Sequence, residues 1–420
     1  MYFRGEGSQM KKLFGDKIVT AIDVGTTKIC VLIGQQLSEG SVEILGVGKV
    51  PSEGLRKGVV VDMAKTIRSI KEAVEEAQLM ANIRIESAVV GVSGSHIQSR
   101  NVYGAVPIGK KGVTQEDIAN VIANAKAVPL AEGQQVLHVL PQYFSIDGQE
   151  RVQDPLGMFG IRLEAQIHMI TGSVTSVHNL VSCCEQAGVV VRDVILEQLA
   201  SAKAVLNDDE RDLGVGMIDI GGGTTDLAVY QRGAICHTMV IPVAGNHFTN
   251  DLAIGLRITT KDAERIKRDY GLASTRLLEN DTIIEGEMVQ GETMRTIHMK
   301  DITEILEARS QELLSLVHEE ILSRHLSHIL VSGLVITGGG SMLEGLKEVA
   351  EDMCGVPVRI GRPRIVHSDP EILSNPIYAT GYGLLLLAGD KEHSSSLFNE
   401  DQKGVTRLLM RMKSWVSDFF

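Results

Sequence analysis

Two stretches of the chain share one alternation of apolar and polar residues. Between Gly214 and Tyr230, an apolar run ends at Asp219, three glycines and two threonines follow, and a second apolar run begins after Asp226. Apolar runs rich in Val, Ile and Leu on both sides of a glycine-rich centre predict a β-hairpin. The glycines are expected to adopt positive φ and to bring backbone N–H groups up to an anion with no Cβ in the way. Asp219 is placed to hold a hydrated Mg²⁺ beside that anion.

The stretch from 18 to 34 repeats this pattern. Asp23-Val24-Gly25 matches Asp219-Ile220-Gly221, and Thr26-Thr27 matches Thr224-Thr225. Two copies half a chain apart predict two homologous halves that face each other. The alternative is a pair of tight hairpins whose Gly and Asp residues serve only the turns. Turn chemistry gives no reason for the repeat, so the pattern favours a two-sided phosphate clamp.

The rest of the pattern predicts an α/β chain with a small α+β insertion at 97–172. Helical spacing of apolar residues predicts helices at 65–81, 114–126 (capped by Thr114 with Asp117), 174–187, 197–206, 246–256, 260–270, 301–329 and 375–389. Apolar runs predict strands at 86–94, 136–146, 164–171 and 189–195, a hairpin at 101–113, and a strand, glycine turn and helix at 330–350.

The end of the chain predicts an amphipathic helix after a linker. Residues 390–404 are polar and Ser-rich, as in linkers. At ~100° per residue, the apolar side chains of 405–420 fall within an arc of about 140°, which is typical of a helix lying in a membrane surface. The alternative is a terminal helix docked on the body. The membrane-facing set is Leu408, Leu409, Met412, Trp415, Val416 and Phe419, with the basic residues Arg407 and Arg411.

Composition and charge narrow the class of protein. The chain has 420 residues, enough for two or three domains, and its net charge of −12 argues against nucleic-acid binding. The five cysteines lack paired spacing, which favours reduced thiols in the cytosol, and no secretory signal is visible. The longest apolar run near the end, 384–388, is too short to span a bilayer. The histidines and cysteines lack metal-ligand spacing, so no metal beyond Mg²⁺ is expected.

The order of the motifs resembles the actin, sugar-kinase and DnaK-type chaperone ATPase superfamily. The series is D-x-G-T-T from Asp23, E-x-x-A-x-A from Glu197, D-x-G-G-G-T-T-D from Asp219 and G-G-G-S from Gly338, followed by a helix rich in small residues. The resemblance covers residues 18–389. It implies an α/β, actin-like two-lobed fold with duplicated ribonuclease H-like domains, and it implies ATP and Mg²⁺ in the cleft between them.

The resemblance also implies roles for particular residues. Asp23, Glu197 and Asp219 would be the catalytic group, with Asp23 and Asp219 holding Mg²⁺ through water. The cofactor-binding residues would be Gly25, Thr26, Thr27 and Lys28 in the first phosphate loop, Gly221, Gly222, Gly223, Thr224 and Thr225 in the second, and Gly338, Gly339, Gly340, Ser341, Glu264 and Lys267 around the adenosine.

For three of these assignments, a purely structural role is the alternative to ligand binding. Glu197 would instead cap the helix that it begins. Gly338 to Gly340 would be a close crossing of strand and helix without a ligand, although the N-terminus of that helix suits ribose and phosphate. Glu264 and Lys267 would be a solvated pair on an exposed helix.

Within the superfamily, the insertion, the Ser-rich linker and the amphipathic tail resemble the FtsA family of bacterial cell-division proteins. That resemblance implies a peripheral protein at the division septum, on the cytoplasmic face of the inner membrane. It would polymerise with ATP, tether FtsZ filaments through the FtsZ C-terminal tail, recruit later division proteins and hydrolyse ATP slowly at most. A type IV pilus protein of the PilM kind and a metabolic kinase or phosphatase of the same fold are the alternatives.

The resemblance implies six parts. They are the first core subdomain at 15–96, 173–212 and 376–389, the insertion at 97–172 for self-association and division-protein contacts, the second core subdomain at 213–258 and 303–375, the small lobe at 259–302 that binds adenine and the FtsZ tail, the linker at 390–404 and the membrane helix at 405–420.

Overall fold

A computed structural model describes residues 18–37, 41–289, 294–364 and 374–389. Its strands are β1 (Ile18–Val24), β2 (Lys28–Gln36), β3 (Val42–Pro51), β4 (Leu55–Arg56), β5 (Val59–Val60), β6 (Ser87–Val92), β7 (Gln98–Pro107), β8 (Gln134–Ile146), β9 (Gln149–Val152), β10 (Arg162–Ser173), β11 (Val190–Leu196), β12 (Val215–Ile220), β13 (Thr225–Gln231), β14 (Ala234–Ile241), β15 (Ile283–Glu287), β16 (Met294–His298), β17 (Leu334–Thr337) and β18 (Val358–Ile360).

The helices are α1 (Met63–Ala81), α2 (Gln115–Lys126), α3 (Val174–Gln186), α4 (Glu197–Val205), α5 (Asp208–Leu213), α6 (Gly245–Leu256), α7 (Thr260–Tyr270), α8 (Met299–Ser323), α9 (Leu346–Cys354) and α10 (Ala379–Gly389). Short 3-10 turns lie at Thr275–Leu277, Gly339–Met342 and Pro376–Tyr378.

Two five-stranded sheets with the same connectivity form the framework of the fold. The first has the order β11-β6-β1-β2-β3 and the second β14-β13-β12-β17-β18. In both, three antiparallel strands made by consecutive hairpins are followed by two parallel strands. Such parallel strands need helical crossovers, which supply the surrounding helices. The predicted duplication of a ribonuclease H-like unit, and with it the actin-like α/β fold, is confirmed.

Most predicted elements are present because local signals and tertiary packing agree. Thr114 and Asp117 form both bonds of a capping box at the start of α2, as the sequence predicts. The two glycine hairpins pair in register, Ile18 with Gln35 in the first and Val215 with Tyr230 in the second. The strands β3, β4, β5, β9, β14 and β18 and the short helix α5 were not predicted.

Three predicted elements are wrong in part. The hairpin at 101–113 is the single strand β7, which Pro107 ends, and its partner is the distant β10. The helix predicted at 301–329 ends at Ser323, and His325 has the left-handed φ of 56°. The glycine turn after β17 leads into a 3-10 turn, and α9 begins only after Gly345 at φ 83°. The glycine turn is therefore not at the N-terminus of an α-helix, so the helix dipole gives no support to a ligand there.

The segment between β6 and α3 builds a separate sheet of order β7-β10-β8-β9 with α2 packed on it. Its apolar residues form a core of their own, centred on Ile122, Leu163 and Ile167. This sheet contacts β14 of the second five-stranded sheet.

The contact with β14 is made by hydrogen bonds from polar side chains of the insertion. Ser99 Oγ donates to the Thr238 carbonyl at 2.8 Å, and Gln142 Nε2 donates to the Ile235 carbonyl at 2.8 Å. Asn101 Nδ2 donates to the carbonyl of the intervening Cys236 at 3.1 Å. We call these three residues, together with His168, the polar joint.

His168 lies at the centre of the polar joint and is fully buried. Its Nδ1 is 2.7 Å from Asn101 Oδ1, and its Nε2 is 2.9 Å from Thr238 Oγ1. Because the amide oxygen only accepts, Nδ1 carries the proton and Nε2 accepts from the threonine. Burial, aided by nearby His237, lowers the pKa of His168 to about 3. The ring is therefore neutral at physiological pH.

The polar joint predicts how His168→Asn changes acid stability. The unfolded chain takes up the histidine proton near pH 6.5, whereas the folded protein resists it to about pH 3, so protonation favours unfolding within that window. We expect the variant to lose stability near pH 7 but to lose less on acidification. For each pH unit of acidification within the window, the folding constant of the unmodified protein should fall by up to about tenfold more than that of the variant. Urea unfolding from pH 8 to pH 4 measures it.

The exposed His178 provides the matched control. His178→Asn should keep the acid slope of the unmodified protein. Equal slopes for His168→Asn and the unmodified protein would contradict the assignment of a buried neutral ring.

Candidate functional site

The two glycine loops meet face to face between the sheets. A Cβ placed on Gly222 would overlap the hydroxyl of Thr27, and one on Gly223 would overlap the hydroxyl of Thr26. Thr27 also lies 3.3 Å from Asn246 Oδ1, at the start of α6. None of the three glycines of the second loop has positive φ. The expected positive φ is therefore wrong, and the close approach of the threonines requires glycine at positions 222 and 223.

The two loops have the same internal hydrogen bond. Gly25 N–H donates to the Lys28 carbonyl at 3.0 Å, and Gly221 N–H donates to the Thr224 carbonyl at 2.9 Å. The second loop is also anchored to α6, because the N–H group of Asn246 donates to the Gly222 carbonyl at 2.8 Å. The loop backbones are therefore held in place before any ligand arrives.

Three predicted carboxylates lie around the loops. Lys28 Nζ is 2.5 Å from Asp23, and Asp219 accepts hydrogen bonds from Ser201 Oγ and, at 3.1 Å, from Thr380 Oγ1. Glu197 is the first residue of α4, and the preceding residue at the N-cap makes no side-chain capping bond. The structure thus shows no side-chain cap at this helix start, and Glu197 lies in the electrostatic field of Asp23, Asp226 and Asp219.

The electrostatics of the group show excess negative charge. Burial, followed by repulsion from Asp23, Asp226 and Asp219, raises the pKa of Glu197 well above its ordinary value. Burial also raises the pKa of Asp219. Lys28 supplies the compensating charge: burial opposes its protonated form, but the Asp23 carboxylate outweighs this and raises the lysine pKa. One cation thus faces several carboxylates.

Asp226 is a site residue that sequence reasoning did not select. Its Oδ1 accepts from Ser93 Oγ and from Gln198 Nε2, each at 2.7 Å, so it joins the second half to β6 and α4 of the first. Burial and the neighbouring Asp219 raise its pKa to about 8. The final Asp of the D-x-G-G-G-T-T-D pattern was the available signal, but nothing local identifies its two partners.

Two further features of the loops were not visible in the sequence. The hairpin β4–β5 reaches the first loop, where Gly58 N–H donates to Thr26 Oγ1 at 3.1 Å. The two threonines of the second loop differ in role. Thr224 Oγ1 lies 3.3 Å from Asp226, while Thr225 donates to the Val243 carbonyl at 2.8 Å and ties the loop to the chain after β14.

Glu264 and Lys267 are joined to the second loop through α6. Lys267 Nζ pairs with Glu264 at 2.6 Å, and it donates to Thr249 Oγ1 at 2.9 Å and to the Gly245 carbonyl at 3.2 Å. Gly245 N–H donates in turn to the Gly221 carbonyl at 3.0 Å. The pair is half-buried and fixed against the loop, unlike a solvated surface pair.

The third glycine turn packs against the second loop. Gly338 has φ 80°, and a Cβ on it would overlap Asp219 Oδ1. Ser341 Oγ donates to the Gly338 carbonyl at 2.7 Å and closes the turn. Gly340 packs on the side chain of Ile220. The turn and both loops thus surround one carboxylate.

The predicted membrane residues at 405–420 lie outside the described residues. In the part of the chain that the structure describes, no helix is long and apolar enough to cross a bilayer. The same part holds no group of three or more His, Cys, Asp or Glu side chains placed to bind a metal directly.

Comparison with protein families and relatives gives a consistent assignment. A family model described as "Cell division protein FtsA" matches residues 216–383, and one described as "SHS2 domain inserted in FTSA" matches residues 94–171. The cell division protein FtsA of Pseudomonas aeruginosa is 42% identical over 418 residues, which cover 98% of this chain and 100% of the relative. That of Escherichia coli (strain K12) is 38% identical over 421 residues, with the same two coverages of 98% and 100%.

Solved structures share the fold at low identity. The PilM-PilN type IV pilus biogenesis complex matches with a TM-score of 0.63 at 18% identity, over 88% of this chain and 98% of that chain. MreB 5 of Spiroplasma citri bound to AMPPNP matches with a TM-score of 0.53 at 18% identity, over 88% and 96%. These likenesses show the fold alone, whereas the relatives cover nearly the whole sequence: the chain belongs to the FtsA family of cell division proteins.

Proposed function

We propose that the chain is an ATP-binding, actin-like division protein that polymerises and anchors FtsZ filaments to the inner face of the cytoplasmic membrane at the septum. Nucleotide binding is proposed because the two glycine loops meet at Thr26 and Thr27. The threonine hydroxyls of the first loop lie directly against Gly222 and Gly223, whose backbone carries no Cβ, and such a loop suits an anion-binding nest. The solved MreB 5 structures, bound to ADP and to AMPPNP, add support from a shared fold.

We propose that Mg²⁺ accompanies the nucleotide and is held through water by Asp23 and Asp219. Burial, and after it the repulsion between these acids, raises the pKa of Glu197, Asp219 and Asp226. A divalent cation bound through water fits this charge, because oxygen ligands and retained water suit Mg²⁺. When bound, the ion would neutralise charge on the phosphates. In this chain Lys28 orients Asp23, and Ser201 and Thr380 orient Asp219.

The remaining roles follow the family. The insertion at 97–172 would serve self-association and contacts with later division proteins, and the small lobe at 259–302 would bind adenine and the FtsZ tail. The tail at 405–420 would attach the protein to lipid after the linker at 390–404. Filaments present many tails at once, which makes a weak anchor strong. Nucleotide turnover would be slow, with ATP acting mainly on the angle between the halves.

A first test is Gly222→Ala. The new methyl group would occupy the position of the Thr27 hydroxyl and force the loops apart. We expect ATP affinity to fall at least about tenfold, equivalent to about 1.4 kcal/mol, with little change in thermal stability. Titration with a fluorescent ATP analogue measures the affinity. Gly109→Ala is the matched control, because a Cβ at Gly109 meets nothing within 4 Å. Unchanged affinity in Gly222→Ala would refute the clamp.

A second test addresses Mg²⁺ through Asp219→Asn. The amide has nearly the same shape but no charge, so we expect nucleotide binding to become insensitive to Mg²⁺. The measurement compares ATP affinity with Mg²⁺ and with EDTA. The exposed Asp209→Asn is the control and should keep the Mg²⁺ effect. If Asp219→Asn kept it as well, the metal assignment would be wrong.

A third test removes residues 405–420. Without this segment, we expect loss of sedimentation with anionic liposomes and loss of FtsZ recruitment to them, with ATP or with ADP. ATP should strengthen binding of the intact chain, because assembly presents several tails together. Liposome binding by the shortened protein would disprove the anchor. FtsZ recruitment that is lost only with the tail separates tethering from simple FtsZ binding in solution.

A further inference from the structure

The outer side of α1 carries an exposed acidic and apolar face. Leu79 is 82% exposed and Met80 66% exposed, near the end of a helix whose other apolar side chains are mostly buried. Glu72, Glu75 and Glu76 are exposed on the same side, since helical residues three, four and seven positions apart share a face. We call these five residues the α1 face.

Part of the α1 face rests against the open edge of the first sheet. β3 is the edge strand, and two of its N–H groups are bound by α1 instead of by another strand. Lys49 N–H donates to Glu76 at 2.8 Å, and Val47 N–H lies 3.3 Å from the Met80 sulfur. The face is thus a fixed surface rather than the fraying end of a helix.

The described chain ends beside this face. The carbonyl of Gly389, the last residue of α10, accepts from Gln36 Nε2, and a Cβ on Gly389 would lie 3.5 Å from Val42 at the start of β3. Further along β3, a Cβ on Gly46 would contact Ala81 at the end of α1. The four residues from Val42 to Gly46 span about 13 Å of strand. The exit point and the α1 face are therefore neighbours.

Residues 390–404 are enough to let the tail reach the α1 face. An extended chain of that length spans up to ~50 Å, and an unconstrained one averages roughly 20 Å between its ends. A tail held at this distance has an effective concentration of about a millimolar, so even a weak contact within the chain is populated.

The tail and the α1 face are complementary in both charge and polarity. As a helix, the tail is predicted to present an apolar stripe with Lys413 beside it and with Arg407 and Arg411 on the opposite side. The α1 face presents two apolar side chains and three glutamates. We propose that residues 405–420 dock on the α1 face of their own chain when no membrane is present. Membrane and α1 face then compete for one apolar stripe, a step that rests on the proposed membrane role of the tail.

Trp415 gives a direct test, since it is the one tryptophan of the sequence. In the lipid-free, full-length protein we expect Trp415 to emit at shorter wavelength and to be quenched less by acrylamide than in the synthetic peptide 405–420. In Leu79→Gln/Met80→Gln, both readouts should move to the values of the peptide. This variant should then bind vesicles of phosphatidylglycerol and phosphatidylethanolamine more tightly than the unmodified protein does, by the factor by which docking weakens vesicle binding. In the lipid-free protein, high salt should also move the tryptophan readouts toward the values of the peptide, because it screens the attraction between the tail and the glutamates.

Control variants keep the outcomes distinct. Val190→Gln alters an exposed apolar residue on β11, at the opposite edge of the sheet, and should change nothing. A tryptophan signal identical to that of the peptide in the unmodified protein, or unchanged in Leu79→Gln/Met80→Gln, overturns docking. If the shift in tryptophan emission disappears on dilution, the tail contacts a second copy of the chain instead of its own α1 face. If the shift requires residues 1–9, the tail contacts the N-terminus instead. If the tail did not bind lipid at all, none of the variants would bind vesicles. The tryptophan measurements without lipid would still test docking on the α1 face.

Discussion

The close approach of the two glycine loops is the constraint on which the arrangement of the halves depends. The hydroxyls of Thr26 and Thr27 occupy the space that side chains at Gly223 and Gly222 would need. Asn246 adds a contact from the N-terminus of α6. An anion that enters between the loops would exchange these contacts for its own. Binding of an anion there would couple the angle between the halves to occupancy of the site through the same few atoms.

The strand β14 extends this coupling to the insertion. Just beyond its end, the Val243 carbonyl accepts from Thr225 of the second loop. Along its length, the carbonyls of Ile235, Cys236 and Thr238 accept hydrogen bonds from the polar joint. The insertion has an apolar core of its own, and its Leu140 and Ile170 also belong to the core of the first half, so the polar joint lies at a boundary between the two halves. Polar contacts suit such a role, because water replaces a broken hydrogen bond at a small net cost.

The parts of the fold that could be predicted are those with a local signal. Both glycine hairpins, the capping box at Thr114 and the duplication follow from residue patterns within a short window. The hairpin at 101–113 failed because the partner of β7 is β10, far along the chain, and local turn residues do not reveal it. The long helix ended early because His325 takes a left-handed conformation that its type does not announce.

The residues of the candidate site also divide into those that a local sequence signal predicts and those that it does not. Asp23 and Asp219 follow from their places near the ends of apolar strands, and Glu197 follows only from the family resemblance. Ser93 and Gln198 could not be found, because their only signal is the distant Asp226 that they bind. The role of the glycines was also misjudged. Their steric requirement comes from the opposite loop, and a single sequence window contains only one side of that contact.

The register of the two hairpins shows that the duplicated halves are electrically unequal. Asp23 faces Cys30 across the first hairpin, whereas Asp219 faces Asp226 across the second. Lys28 pairs with Asp23, so the first hairpin carries a balanced pair, whereas the second hairpin carries two buried acids. Buried carboxylates are costly unless they are paired, and rules of this kind are broken mainly at functional sites. The position that most favours an added cation is therefore on the second half, beside Asp219 and the turn at Gly338, because within the described part of the chain the side chains that hydrogen-bond to Asp219 and Asp226 are all uncharged.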